Sequence, residues 1–193
     1  FEVGPVFRAE KSFTNKHATE FTGFDLEMSY ITSFRDIMAI EAELLQAALR
    51  AVSEKYGAQI KELYGLDVVV PTLPFPEMKL ADVYQEIKER YGYTCPDSEK
   101  NDLTTDAEHL CARLSMEKFG HEFLFVTDYG PEKRAFYHMR DENGNPLGYD
   151  LIFSRAGDAD SDARFERSLR RMGSAYLPIG LGFSESASSF KWE

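Results

Sequence analysis

Gly4-Pro5-Val6-Phe7-Arg8-Ala9-Glu10, then six residues, then His17-Ala18-Thr19-Glu20-Phe21-Thr22-Gly23-Phe24-Asp25-Leu26-Glu27, is the stretch that decides the fold. The second half alternates apolar with polar residues, and the segment Lys11 to Lys16 between the two halves reads as the connection of one antiparallel hairpin. Strand residues two apart share a face. Phe21, Gly23, Asp25 and Glu27 are therefore expected on one side, and Phe24, Leu26, Met28 and Tyr30 on the other as core. Arg8 and Glu10 fall on a common face of the partner strand. An arginine fork suits a phosphate and an aromatic ring suits a purine, so the polar face has the equipment of a nucleotide site.

Helical spacing follows. Phe34, Ile37, Met38, Leu44, Leu45, Ala48, Leu49, Val52 and Tyr56 predict a long amphipathic helix across the back of the sheet. Leu80, Val83, Tyr84, Ile87 and Tyr91 predict a second helix. Thr105, with Glu108 three residues later, predicts a capping box opening a third, whose apolar face includes Ala107, Leu110, Cys111 and Leu114. Strands are expected at Phe123 to Thr127, Arg134 to Arg140 and Tyr149 to Phe153, with an Asn-Gly turn signal at Asn143-Gly144 between the last two. Runs of helix between runs of strand indicate an α+β fold, an antiparallel β-sheet flanked by helices packed on one face, rather than alternating βαβ units.

The 193 residues suffice for a single domain. No run of about 18 apolar residues is present, so nothing is expected to span a membrane. Phe1-Glu2-Val3 lacks an initiator methionine and a signal peptide and is expected to lie inside a domain. Net charge is −11, from 22 basic and 33 acidic residues, which argues against nucleic-acid binding through bulk charge. Cys95 and Cys111 lack metal-ligand spacing and suit a reducing, cytoplasmic setting.

The order GPVFRAE, short loop, H..EF...D.E resembles motif 2 of the class II aminoacyl-tRNA synthetases, in the version carried by the aspartyl enzymes of archaeal and non-discriminating type. Asp102-Leu103-Thr104-Thr105, the run Glu117 to Tyr129, Lys133 to Arg140 and Tyr149 to Ile152 continue the resemblance. It implies one partial catalytic core over residues 1–193, family-like to about 153 and divergent over 154–193.

What the resemblance implies for function is formation of an aminoacyl adenylate from ATP and transfer to tRNA, impaired in this piece. Arg8 is the implied catalytic residue, holding the α-phosphate. Glu10, His17 and Phe21 join it around ATP, with Phe21 under adenine and His17 at the outer phosphates. Asp25 and Glu27 fall to the amino-acid pocket, and Glu10, Ser12 and Thr14 to the tRNA acceptor end. ATP and Mg2+ are the implied cofactors. The implied partners are tRNA, aspartate or asparagine, and a second subunit in the full-length family protein.

Magnesium ligands are not identified. The family's Gly-Leu-Glu-Ile...Ser-Gly-x-Gln-Arg run has no counterpart in Ser154 to Ala163, and Gly180-Leu181-Gly182-Phe183-Ser184-Glu185 resembles motif 3 without its arginine. Asp158, Asp160 and Asp162 alternate like calcium ligands but lack the glycine and final glutamate of an EF-hand, and read as a solvated loop. Two other readings stand beside the ligase: a non-catalytic paralogue binding adenylate or a partner, and an AMP-forming asparagine synthetase on the same fold.

Overall fold

The computed structural model describes residues 1–9, 19–134 and 138–153. Two strands, β1 (Glu2–Phe7) and β2 (Glu20–Asp25), form an antiparallel hairpin in which Val6 faces Phe21, Gly4 faces Gly23 and Glu2 faces Asp25. The chain then turns through Tyr30, whose φ is +63° and whose side chain is 98% exposed. Strand pairing thus stops at Asp25. Phe24, Leu26 and Met28 are half-buried, but Tyr30 leaves the core row, because the turn into the first helix rotates it to solvent.

Helix α1 (Phe34–Tyr64) starts where Ser33 accepts from the Arg35 amide at 3.3 Å and Asp36 accepts from the Ser33 amide at 3.1 Å. This reciprocal capping satisfies amides that the helix leaves open. Its first turns bury Phe34, Ile37, Met38 and Ala42 against Phe75, Phe123, Phe125 and Tyr149. The rings of Phe75 and Phe123 are stacked at 4.8 Å.

Strand β3 (Glu77–Lys79) leads directly into α2 (Leu80–Tyr91), followed by α3 (Thr105–Phe119). The α3 cap is Thr104, whose hydroxyl accepts from the Ala107 amide at 3.1 Å. The expected Thr105–Glu108 box is therefore displaced by one residue. Ala107, Cys111 and Leu114 are fully buried, as expected for its apolar face.

Strands β4 (Phe123–Thr127) and β5 (Tyr149–Phe153) occupy the expected positions and pair antiparallel, but β3 pairs with β4 in parallel. The sheet is mixed, with order β3-β4-β5. Helices also lie on both faces rather than one. Leu124, Val126 and Ile152 pack toward α2 and α3, while Phe123, Phe125 and Tyr149 pack toward α1. A strand covered on both sides reads as an unbroken apolar run, which is what Phe123 to Val126 is.

The expected strand at Arg134 to Arg140 takes another form. Pro131–Lys133 makes a short 3-10 turn, Arg134 follows it outside any strand, and Arg140 makes only a single-residue bridge to Pro146; residues 135–137 lie outside the described residues. The Asn-Gly turn is present. Asp141 accepts from the Asn143 and Asn145 amides at 2.9 and 2.8 Å, and Gly144 has φ +82°.

Candidate functional site

In the hairpin, residues paired across the ladder share a face. The Arg8 amide donates to the Thr19 carbonyl at 2.9 Å, which extends the register by one pair beyond β1. One face therefore carries, in order, Arg8 beside Phe21, the opposed glycines Gly4 and Gly23, and the opposed carboxylates Glu2 and Asp25. Six residues of extended chain separate Arg8 from Glu2, roughly 20 Å.

The Arg8 guanidinium carbon lies 5.5 Å from the centroid of the Phe21 ring. Phe21 is half-buried while Arg8 is exposed. The ring is held by its strand, and the cation stands at the end of a long exposed stem. At the centre, a Cβ added to Gly23 would meet Val6 Cγ2 at 2.8 Å. A side chain at 23 would thus crowd Val6, which stands opposite Phe21 on the same face and leans over Gly23.

Of the residues expected to share the site, Arg8, Phe21 and Asp25 are brought onto this one face. Glu27 is exposed and lies beyond the end of β2. Glu10, Ser12, Thr14 and His17 lie outside the described residues, as do Asp158, Asp160, Asp162 and Gly180 to Glu185. Among the described residues no three His, Cys, Asp or Glu side chains converge to hold a metal ion, so magnesium ligands are not identified there. No helix of the described residues is long and apolar enough to cross a membrane.

The opposite face of the hairpin is apolar and open. Phe1 stacks on Phe24 at 5.9 Å, and Val3 and Phe7 are exposed.

A buried polar pair and a half-buried one flank β5. Glu41, 2% exposed, accepts from the Tyr149 hydroxyl at 2.7 Å inside the aromatic cluster. Burial pushes the Glu41 carboxyl up to about 7, against the lowering effect of the Tyr149 hydrogen bond and with a smaller rise from Asp150. On the other side, Arg134 Nη2 donates to Asp150 Oδ2 at 2.9 Å and its guanidinium carbon lies 4.2 Å from the Tyr129 ring centroid. Burial pulls the Arg134 pKa down, but the charge of Asp150 and its hydrogen bond more than offset this, and the net shift is upward.

The turn that delivers Arg134 depends on close backbone approach. The Gly130 amide donates to the Asn101 carbonyl at 3.0 Å, and a Cβ on Gly130 would fall 2.3 Å from that of Asn101. Glu41 was legible as an anomaly in the sequence, a carboxylate at helical spacing within the apolar row of α1. The Arg134–Asp150 pair carried no such signal.

A family model for class II tRNA synthetases (D, K and N) matches residues 1–159. The aspartate–tRNA(Asp/Asn) ligase of Aeropyrum pernix is 33% identical over 156 residues, covering 79% of this chain and 35% of that protein. The cytoplasmic aspartate–tRNA ligase 1 of Arabidopsis thaliana is 34% identical over 174 residues, 85% of this chain and 31% of its own length. Among solved structures, the aspartyl-tRNA synthetase of Entamoeba histolytica superposes with a TM-score of 0.69 at 26% identity, covering 78% of this chain and 31% of that one. The asparaginyl-tRNA synthetase of Pyrococcus horikoshii, solved with asparaginyl-adenylate, gives 0.64 at 28% identity over 79% of this chain and 34% of that one. The chain spans about a third of the length of these relatives.

Proposed function

The chain belongs to the class II tRNA synthetases of the D, K and N type, and from that premise we propose that it is the central piece of an aspartate–tRNA ligase catalytic domain that binds ATP on the hairpin face. The observation that carries the reading is the adjacency of Arg8 and Phe21 on one strand face, at 5.5 Å. In the proposed reaction the amino-acid carboxylate attacks the α-phosphorus of ATP, the bond to the bridging oxygen of the β-phosphate breaks, and pyrophosphate leaves. The aminoacyl group then passes from AMP to the tRNA end.

Arg8 meets the negative charge that builds on the α-phosphoryl oxygens, where a fixed cation lowers the barrier. Phe21 supplies a flat apolar surface for adenine, and the purine displaces the exposed guanidinium from the ring toward the phosphates. Gly4 leaves backbone uncovered on this face, and Val6 adds an apolar contact beside Phe21. Asp25, with Glu27 further along the chain, faces the amino-acid substrate. Glu10 and His17 complete the ATP contacts, and Glu10, Ser12 and Thr14 meet the acceptor end. Magnesium would screen the phosphate charge when bound. The full-length protein is proposed to be a homodimer, and to be cytoplasmic, the setting named for the Arabidopsis relative.

The test is pyrophosphate exchange with aspartate and with asparagine, each with and without ammonia, alongside ATP titration calorimetry on the native chain and Arg8→Ala. Exchange with aspartate, or ATP binding that depends on Arg8, supports the reading. Binding unchanged in Arg8→Ala removes Arg8 as a phosphate ligand. A second reading, an adenylate-binding module without transfer, is favoured by Ser184-Glu185, which stand where motif 3 has its acidic residue and arginine; ATP binding without exchange on any substrate selects it.

A further inference from the structure

A cleft of about 640 Å³ opens between helix α2, the loop from Tyr93 to Asn101 and the turn that follows β4. That is within the size range of small-molecule sites. Its charge departs from that of the chain, which carries a net −11. Lys88 and Lys100 stand on it, while Asp128, the one carboxylate among the described residues that line it, is already paired with Lys79 at 2.9 Å. A second cleft along α2 is lined instead by Glu77, Asp82, Glu86 and Glu89.

The polar groups of the walls are committed to the protein itself. The Tyr84 hydroxyl donates to the Asp102 carbonyl at 2.5 Å and accepts from the Thr104 amide at 3.3 Å, and the Tyr93 hydroxyl lies 2.7 Å from Thr104 Oγ1. Asn101 Nδ2 donates to Glu132 at 2.6 Å, and Asn145 Nδ2 to Asp141 at 3.0 Å. These bonds hold two phenol rings and two carboxamides in place.

The two ammonium groups are not committed in this way. Among the described residues Lys88 makes no ion pair, and neither Tyr84 and Gln85 before it nor Tyr91 and Gly92 after it is acidic. Lys100 has only Asp97, at 3.9 Å, and both side chains are exposed; such a pair is worth little in water. The cleft therefore offers a ligand two long-stemmed cations beside aromatic rings.

A phosphomonoester carries about −1.5 to −2 at neutral pH, which two ammonium groups match better than they match a single carboxylate. Tyrosine rings suit a flat heterocycle. We propose that this cleft binds a nucleoside monophosphate, with Lys88 and Lys100 on the phosphate and the base against Tyr93. No described residue of the hairpin lines it, so the proposal is independent of the reading of Arg8 and Phe21.

Titration calorimetry of AMP into the full chain carrying Arg8→Ala, which removes the proposed phosphate ligand of the hairpin, tests it. A dissociation constant on the order of 100 µM is expected. Lys88→Glu and Lys100→Glu are each expected to weaken binding about tenfold, and adenosine and inorganic phosphate to bind at least about tenfold more weakly than AMP. Tyr93→Phe keeps the ring and should bind AMP as before; Tyr93→Leu should lose about tenfold, with circular dichroism checking the fold. No binding of AMP up to about 5 mM overturns the proposal. So does AMP binding indifferent to both lysine changes, which would lie elsewhere, or inorganic phosphate binding as tightly as AMP.

Discussion

Arg8 lies over Phe21, guanidinium carbon to ring centroid 5.5 Å, because the hairpin register sets Val6 opposite Phe21 and carries Arg8 one pair further on the same face. A cation and an aromatic surface thus share one end of a strand face whose other end is acidic. This pairing makes the hairpin testable residue by residue.

Arg8→Ala is expected to lower pyrophosphate exchange on the order of 10² to 10³-fold, the usual loss when one charge-stabilising donor is removed. Arg8→Lys is expected to recover only part of it, because an ammonium lacks the planar fork. Equal exchange rates in all three proteins would remove Arg8 from the chemistry.

Phe21→Ala is expected to weaken ATP binding by about ten-fold, and Phe21→Trp to hold it near native, since both aromatic rings offer a stacking surface. Calorimetry with ATP and with inorganic triphosphate separates base from phosphate: the Phe21 effect should vanish for triphosphate.

A two-stranded hairpin is marginal by itself, and β1 pairs only with β2 among the described residues. Amide hydrogen exchange at Val6 and Phe21 is expected to be fast relative to that at Leu124 and Val126, and to slow when ATP is added. Protection of the hairpin equal to that of β4 without nucleotide would contradict this.

Glu41 sets a pH dependence of stability. Its folded pKa of about 7 lies above the unfolded value of 4.5, so its contribution is fully present below pH 4.5 and is lost as pH rises to 7. By linkage the loss is about 3 kcal/mol. Glu41→Gln is expected to flatten the denaturant-derived stability between those pH values. Tyr149→Phe should cost more at pH 8 than at pH 5, since it removes the donor from a buried carboxylate.

Removing either member of the Arg134–Asp150 pair strands the other charge in a half-buried site. Arg134→Met or Asp150→Leu alone is expected to cost about 3 kcal/mol, and the double change less than the sum. Thermal unfolding of the three variants measures the coupling; simple additivity would show that the pair is not coupled.

Local pattern was a good guide where one face of an element meets one core. Helix α2 from Leu80 to Tyr91 and strands β4 and β5 stand where periodicity put them. It failed by one residue at Thr104, since either adjacent threonine satisfies the same cap signal. It also failed at Arg134, where the alternation predicts a strand but the residue follows a short proline turn and its guanidinium pairs with half-buried Asp150. Parallel pairing of β3 with β4 joins residues about 48 positions apart, and nothing local specifies it.

By itself the sequence determined the hairpin, its motif and the family, because strand alternation and motif spacing are short-range properties. Only the tertiary structure decided that helices cover both faces of β4 and that Glu41 is sealed against Tyr149. Each of these depends on burial, and burial is set by segments far apart in the chain.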